Sequence, residues 1–146
     1  MAYAKLGQRE RTWELLSMIN PINRANSEEN VARYKVEPYV IAADVYAQPL
    51  HQGRGGWTWY TGSAGWMSQL IIESFVGMKK MGDSLHFTPT MPEDWKEVKV
   101  NYRFLDTNYK IVLLQTGKKE IIQNGIIKDK IELINSGETV HVTVEW

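Results

Sequence analysis

One stretch constrains this chain more than any other: Gly53-Arg54-Gly55-Gly56-Trp57-Thr58-Trp59-Tyr60-Thr61-Gly62-Ser63-Ala64-Gly65-Trp66. It holds five glycines, three tryptophans and one arginine, and it leads into an apolar pattern with helical spacing. Glycine loses the most backbone freedom on folding, so such a cluster marks a main chain that bends sharply or approaches something closely. The interleaved indoles suit stacking on a sugar ring as well as core packing. The small polar run from Thr61 to Gly65 predicts a helix start, whose free N–H groups and partial positive charge favour an anion such as phosphate. Thr61 or Ser63 is placed either to cap that helix through its hydroxyl or to turn the hydroxyl toward the anion. The ordinary alternative is a capped surface helix with the tryptophans in the core.

The surrounding chain limits the partners. Seventeen basic and seventeen acidic residues cancel, which leaves no electrostatic footprint for nucleic acid or an anionic membrane. No apolar run approaches the ~20 residues of a membrane span, and no signal peptide opens the sequence. Cysteine is absent, which removes disulfides and thiolate metal sites and fits a reducing cytoplasm. No metal-ligand cluster is visible. Six tryptophans and seven tyrosines among 146 residues agree with a carbohydrate protein, though core packing can use them all.

Periodicity predicts a helix over Arg9–Ile19, with Trp13, Leu15, Leu16 and Ile19 on one side. Pro21 ends it, leaving Asn20-Pro21-Ile22-Asn23 as a turn. Asn26-Ser27-Glu28-Glu29 predicts a second, short helix start with a polar cap and acids in the first turn. Ile41 to Tyr46 reads as a brief helical segment carrying Asp44. His51 falls in an exposed loop. Arg54, between glycines, is suited either to hold an anion with its planar fork or to clamp the loop in an ion pair. The helix after Thr61 is predicted to run to about Met78, with a core stripe of Met67, Ile71, Phe75 and Met78 beside Trp66 and Leu70. Gly77 and Gly82 bracket its end, and Lys79 and Lys80 suit a helix C-terminus.

From Leu85 the period changes from helical to alternating: Leu85-Phe87, Val98-Val100-Tyr102-Phe104, Tyr109-Ile111-Leu113, Ile131-Leu133 and Val140-Val142-Val144. Turn signals fall at Asp106-Thr107-Asn108, Thr116-Gly117, Asn124-Gly125 and Ser136-Gly137, and the last two suit tight hairpins. Helices followed by antiparallel strands predict an α+β chain, helical over 1–82 and β over 83–146.

Several motifs in order then become recognisable. Asn20-Pro21-Ile22-Asn23, Tyr34 to Val40, Ala42-Ala43-Asp44-Val45-Tyr46, the Gly53–Trp66 stretch and Pro92-Glu93-Asp94-Trp95 resemble the last part of glycoside hydrolase family 94. That family holds the cellobiose and chitobiose phosphorylases and the phosphorylase-like domain of cyclic β-1,2-glucan synthases, and the sequence is most similar to the glucan-synthase branch. The resemblance implies the end of an (α/α)6 barrel followed by a jelly-roll-like β-sandwich. It implies that Thr61 and Gly62, with Ser63 beside them, hold inorganic phosphate, a co-substrate rather than a cofactor. Glu37, Arg54, Trp57 and Trp59 become candidate substrate contacts; for Glu37 the alternative is a carboxylate tying a loop to a backbone amide.

The resemblance also bounds the chemistry. The family's general acid and its phosphate-binding histidine lie upstream of the matched region, so neither Asp44 nor His51 inherits those roles and no catalytic residue is assigned. Arg24 stands where glucan-synthase relatives carry histidine, and the cellobiose-type glutamine near Ala43 is missing. The similarity begins at Tyr3-Ala4-Lys5-Leu6-Gly7, inside the family's long catalytic domain, so the chain resembles a fragment or a truncated reading frame. Its expected partners are a β-glucan or small β-linked saccharide, together with a second copy or the missing part of the catalytic domain. A non-enzymatic carbohydrate-binding or interaction module is the alternative.

Overall fold

In a computed structural model, which describes residues 1–146, the chain divides into two compact units, Met1–Ile71 and Ile72–Trp146. The α+β class is the observed one.

The first unit opens with α1 (Ala2–Lys5), α2 (Arg9–Ile19), α3 (Pro21–Arg24) and α4 (Glu28–Tyr34). Pro21 does stop α2, but Asn20-Pro21-Ile22-Asn23 is not a plain turn. The Asn20 side chain accepts from the Ile22 amide at 3.2 Å, so Pro21 becomes the first residue of a new helical turn, a position where its missing N–H costs nothing. Ser27 caps α4 by accepting from the Asn30 amide at 3.2 Å. Lys35, left-handed at φ 54°, ends it. Tyr34, Val36 and Val40 then form a small core, with Ala42 against it.

The brief helix expected over Ile41–Tyr46 is instead half of a two-stranded ribbon, in which β1 (Asp44–Val45) runs antiparallel to β2 (Gly55–Gly56). The glycines decide this. A methyl at Gly55 would overlap Val36 Cγ2, and one at Gly56 would overlap the Asp44 carboxylate and lie 2.8 Å from the Tyr46 hydroxyl. Only a bare backbone fits between those side chains. Pro49–His51 forms a 3-10 turn in the connection and leaves His51 exposed.

The next helix, α5 (Thr61–Gln69), continues into a π-helical turn over Leu70–Phe75. It therefore ends before Met78, and Lys79 and Lys80 lie in strand β3 (Met78–Met81) rather than at a helix terminus. Met67 and Phe75 are buried as the stripe requires, whereas Ile71 is exposed.

In the second unit, β3, β4 (Ser84–Phe87) and β9 (Ile131–Glu132) form one sheet. The other has the order β5-β6-β10-β7-β8, from Glu97–Phe104, Thr107–Leu114, Thr139–Glu145, Glu120–Gln123 and Ile126–Lys128. Tyr109, Ile111, Leu113, Val140, Val142 and Val144 share one face and are buried. The Tyr109 hydroxyl, accepting from the Ile134 amide at 2.6 Å, joins β6 to the segment after β9.

Pairing is antiparallel throughout except that β10 runs parallel to β6. Asn124-Gly125 is a two-residue hairpin turn, with φ of 49° and 81°. Ser136-Gly137 is not, because β9 and β10 belong to different sheets; its two amides donate to the buried Thr107 hydroxyl at 2.7 and 3.3 Å. Thr107 and Asn108 belong to β6, so the tight turn before it is Leu105-Asp106. No helix is long and apolar enough to cross a membrane.

Candidate functional site

The Gly53–Trp66 stretch folds as one arm of the ribbon, a short crossing and a helix start. The amides of Ala43, Tyr46 and Gly53 donate to the carbonyls of Trp57, Arg54 and Tyr46 at 3.0, 2.9 and 2.9 Å. These bonds fix the loop against the segment after Val40. Arg54 is exposed and forms no ion pair.

The three tryptophans are not core residues: Trp57, Trp59 and Trp66 are 73%, 67% and 64% exposed. Trp57 and Trp59 have φ of 31° and 61°, a region costly for bulky side chains and held only when the surroundings impose it. Each ring is propped by a tyrosine. Trp57 lies 5.3 Å from Tyr60, and Trp59 meets Tyr39 edge-on at 6.1 Å. The Trp59 indole N–H also donates to the Glu37 carboxylate at 3.3 Å. Glu37 and Trp59 thus come together, with Trp59's orientation set by an acid and a second aromatic. Tyr39 and Tyr60 were not singled out by the sequence as site residues, although Tyr39 sits within the Tyr34–Val40 motif and Tyr60 within the Gly53–Trp66 stretch.

At the helix start the N-cap position belongs to Tyr60, whose side chain makes no capping bond. Neither Thr61 nor Ser63 caps the helix. The first intrahelical bond is that of the Ala64 amide to the Tyr60 carbonyl, at 3.3 Å. The amides of Thr61, Gly62 and Ser63 therefore precede the bonded ladder, as the first N–H groups of any helix do. Gly62 keeps the approach open: a methyl there would touch only the Tyr60 ring, at 3.5 Å.

Close by in sequence, burial raises the Tyr34 phenol's pKa above its ordinary value, against the opposing effects of the Arg24 charge and a backbone hydrogen bond from Ala42. No three or more histidine, aspartate or glutamate side chains gather as metal ligands. A separate open groove on α2 and α3, lined by Trp13, Glu14 and Arg24 among others, contains no residue of the glycine–tryptophan stretch.

Residues 1–77 match the Glycosyl hydrolase 94 superfamily, catalytic domain. The chain is 39% identical over 118 residues to a cyclic beta-(1,2)-glucan synthase of Rhizobium meliloti, an alignment covering 81% of this chain and 4% of that protein. It is 29% identical over 152 residues to an N,N'-diacetylchitobiose phosphorylase of Vibrio furnissii, covering 99% and 18%. A 1,2-beta-oligoglucan phosphorylase of Listeria innocua is 25% identical over 146 residues, covering 85% and 13%. This chain belongs to the glycosyl hydrolase 94 superfamily. It spans less than a fifth of the length of each of these relatives.

Proposed function

We propose that the chain is the C-terminal portion of a carbohydrate phosphorylase or cyclic glucan synthase-like protein. On this reading it carries part of the phosphate and sugar site and is inactive alone. The uncapped helix start at Thr61-Gly62-Ser63, within the segment that matches the catalytic domain, carries the reading. Inverting cleavage of a glycosidic bond needs an acid on the leaving oxygen and a nucleophile on the opposite face of the sugar. When phosphate is that nucleophile, the site must hold an anion in line rather than activate a water. Three backbone amides at a helix start do so without adding a titratable base.

Trp57 and Trp59 provide walls for a β-linked saccharide, and Glu37 fixes the Trp59 indole while keeping an acceptor oxygen for sugar hydroxyls. Arg54 adds charge at the mouth of the loop. The helices belong to the end of an (α/α)6 barrel, and the strands to a jelly-roll-like sandwich. The apolar side chains exposed on Met1–Ile71, among them Leu6, Ile22 and Leu50, form the surface that a second copy or the missing part of the catalytic domain covers.

Two measurements test this. No glucose 1-phosphate should appear when the chain meets phosphate with β-linked glucose disaccharides or β-1,2-glucan, because the general acid is not supplied; robust turnover would overturn the fragment reading. Phosphate itself should bind at millimolar concentration or weaker, since each missing charged donor removes ~1.5–3 kcal/mol. The amides of Thr61 to Gly65 should shift on titration, less so in Thr61→Val and not at all in Gly62→Leu.

The exposure of the three indoles favours a second reading, a carbohydrate-binding module without chemistry. Tryptophan fluorescence that responds to β-linked oligosaccharides, with no amide response to phosphate, would select it.

A further inference from the structure

We propose that Asn124 is a site of spontaneous modification in the β unit: the Gly125 nitrogen closes on its side-chain amide, and one product, isoaspartate, unlocks the β7–β8 hairpin. Asn124 is the one asparagine followed by glycine, and both residues of the turn are exposed. The attacking group is unobstructed. The Gly125 amide makes no hydrogen bond, and nothing lies within 4 Å of where its Cβ would stand. The other asparagines are less open. Asn135 is followed by Ser136, whose amide already donates to the buried Thr107 hydroxyl at 2.7 Å. Asn26 is followed by Ser27, and its own Oδ1 accepts from the Asn30 side chain at 2.7 Å. Elsewhere the next residue is Pro21, Arg24, Val31, Tyr102 or Tyr109, which either lacks an N–H or crowds it with a large side chain.

The fold sets when the reaction can run. The Asn124 amide donates to the His141 carbonyl at 2.9 Å, and the His141 amide donates to Asn124 Oδ1, also at 2.9 Å. The side chain thus stands in for a main-chain carbonyl and carries the β7–β10 ladder one step past the Gln123–Val142 pair. That bond fixes the side chain, so ring closure waits for it to open. Once it is free, the Gly125 nitrogen bonds to the Asn124 side-chain carbonyl carbon. Its proton passes to the amide nitrogen, the old C–N bond breaks, and ammonia leaves a five-membered succinimide. Water then opens the ring at either carbonyl. One product is aspartate, whose oxygen still accepts from His141. The other is isoaspartate, in which the side-chain methylene has entered the main chain. A two-residue turn fixes its strand register by its length, and an extra main-chain atom upsets it. β8 is an edge strand bonded only to β7, so no second strand retains it, and its Ile126 and Ile127 are already exposed.

The test incubates the full chain at mildly alkaline pH, folded and in urea. The tryptic peptide Glu120–Lys128 is followed by mass spectrometry, with isoaspartate methyltransferase as the label. It should gain acid and isoaspartate forms ahead of the peptides containing Asn26 or Asn135, and faster in urea than in the folded chain. Asn124→Gln, which would need a six-membered ring, should lose the signal. In the isoaspartate form the amides of β8 should lose their protection from hydrogen exchange while those of β6 keep theirs; Asn124→Asp should keep both. Earlier conversion at Asn26 or Asn135, or equal rates folded and in urea, would overturn the inference. So would an isoaspartate form in which β8 stays protected.

Discussion

Replacing Gly55 with alanine separates close backbone approach from glycine's flexibility as the reason for the ribbon. Gly55 does not occupy the left-handed region, so its backbone accepts a side chain and any cost is steric. The added methyl would overlap Val36 Cγ2 and lie 3.0 Å from Tyr34 Cε2 and 3.4 Å from Ala42 Cβ. Tyr34 and Val36 are buried and pack on each other, so neither can move aside without opening the small core. Overpacking costs about 1–3 kcal/mol, and contact with three packed side chains puts this case at about 2–3 kcal/mol. For a unit of this size that lowers the melting temperature by roughly 10–20 °C. Val36→Ala alone removes two methyl groups and costs roughly 1–3 kcal/mol. In the double variant the new methyl fills the vacated space, so the two losses should fall short of additivity by about 1–2 kcal/mol. Thermal melts of the three variants, with exchange of the Ala43, Tyr46 and Gly53 amides as local reporters, decide the matter. Strictly additive losses, or a Gly55→Ala protein as stable as wild type, would refute the reasoning.

Four further outcomes are expected. Thr107→Val keeps the shape of a fully buried side chain but strips the acceptor from the Ser136 and Gly137 amides. It should cost about 1–3 kcal/mol in urea unfolding, most of it recovered by Thr107→Ser. Gly65→Ala, on a helix position with open space around it, should stabilise by roughly 0.5–1 kcal/mol. Gly125→Ala, where φ is +81°, should destabilise by about 1–2 kcal/mol despite equally open space; melting curves of both variants give the signs. Burial raises the Tyr34 pKa above 10.0, so the folded state holds the phenolic proton more tightly. That contribution to stability is complete below pH 10.0 and disappears as pH climbs through the folded value. Stability measured against alkaline pH should show this fall in wild type and not in Tyr34→Phe.

Much of the β unit was legible because its strands keep one face buried. The alternation from Tyr109 to Leu113 and from Val140 to Val144 is the core face itself, and Asn124-Gly125 announced its hairpin. The direction of β10 was not legible, since alternation carries no sign of whether a neighbouring strand runs parallel. The Asp44–Val45 strand was hidden for another reason: its structure is dictated by the glycines paired with it, Gly55 and Gly56, which no local period reveals. At the loop, sequence marked the helix start, and the free amides of Thr61–Ser63 follow it; it left open whether the tryptophans pack in the core, and Trp66, expected beside the core stripe, is exposed. It missed the end of α5, because Lys79 and Lys80 serve a strand as readily as a helix terminus.

The place of β10 has a consequence for how the chain comes into being. It follows β5, β6, β7 and β8 along the chain, yet it occupies the middle of their sheet. While a ribosome is still adding residues 139–145, β5–β6 and β7–β8 can close only as separate hairpins, each with an apolar edge waiting for the same missing strand. Joining them requires Val140 to find Tyr109 and Val142 to find both Ile111 and Gln123, and distant pairings of this kind form slowly. At about 5–20 residues per second, the emerging hairpins stay unfinished for seconds, long enough for chaperones to bind them or for two nascent chains to exchange strands.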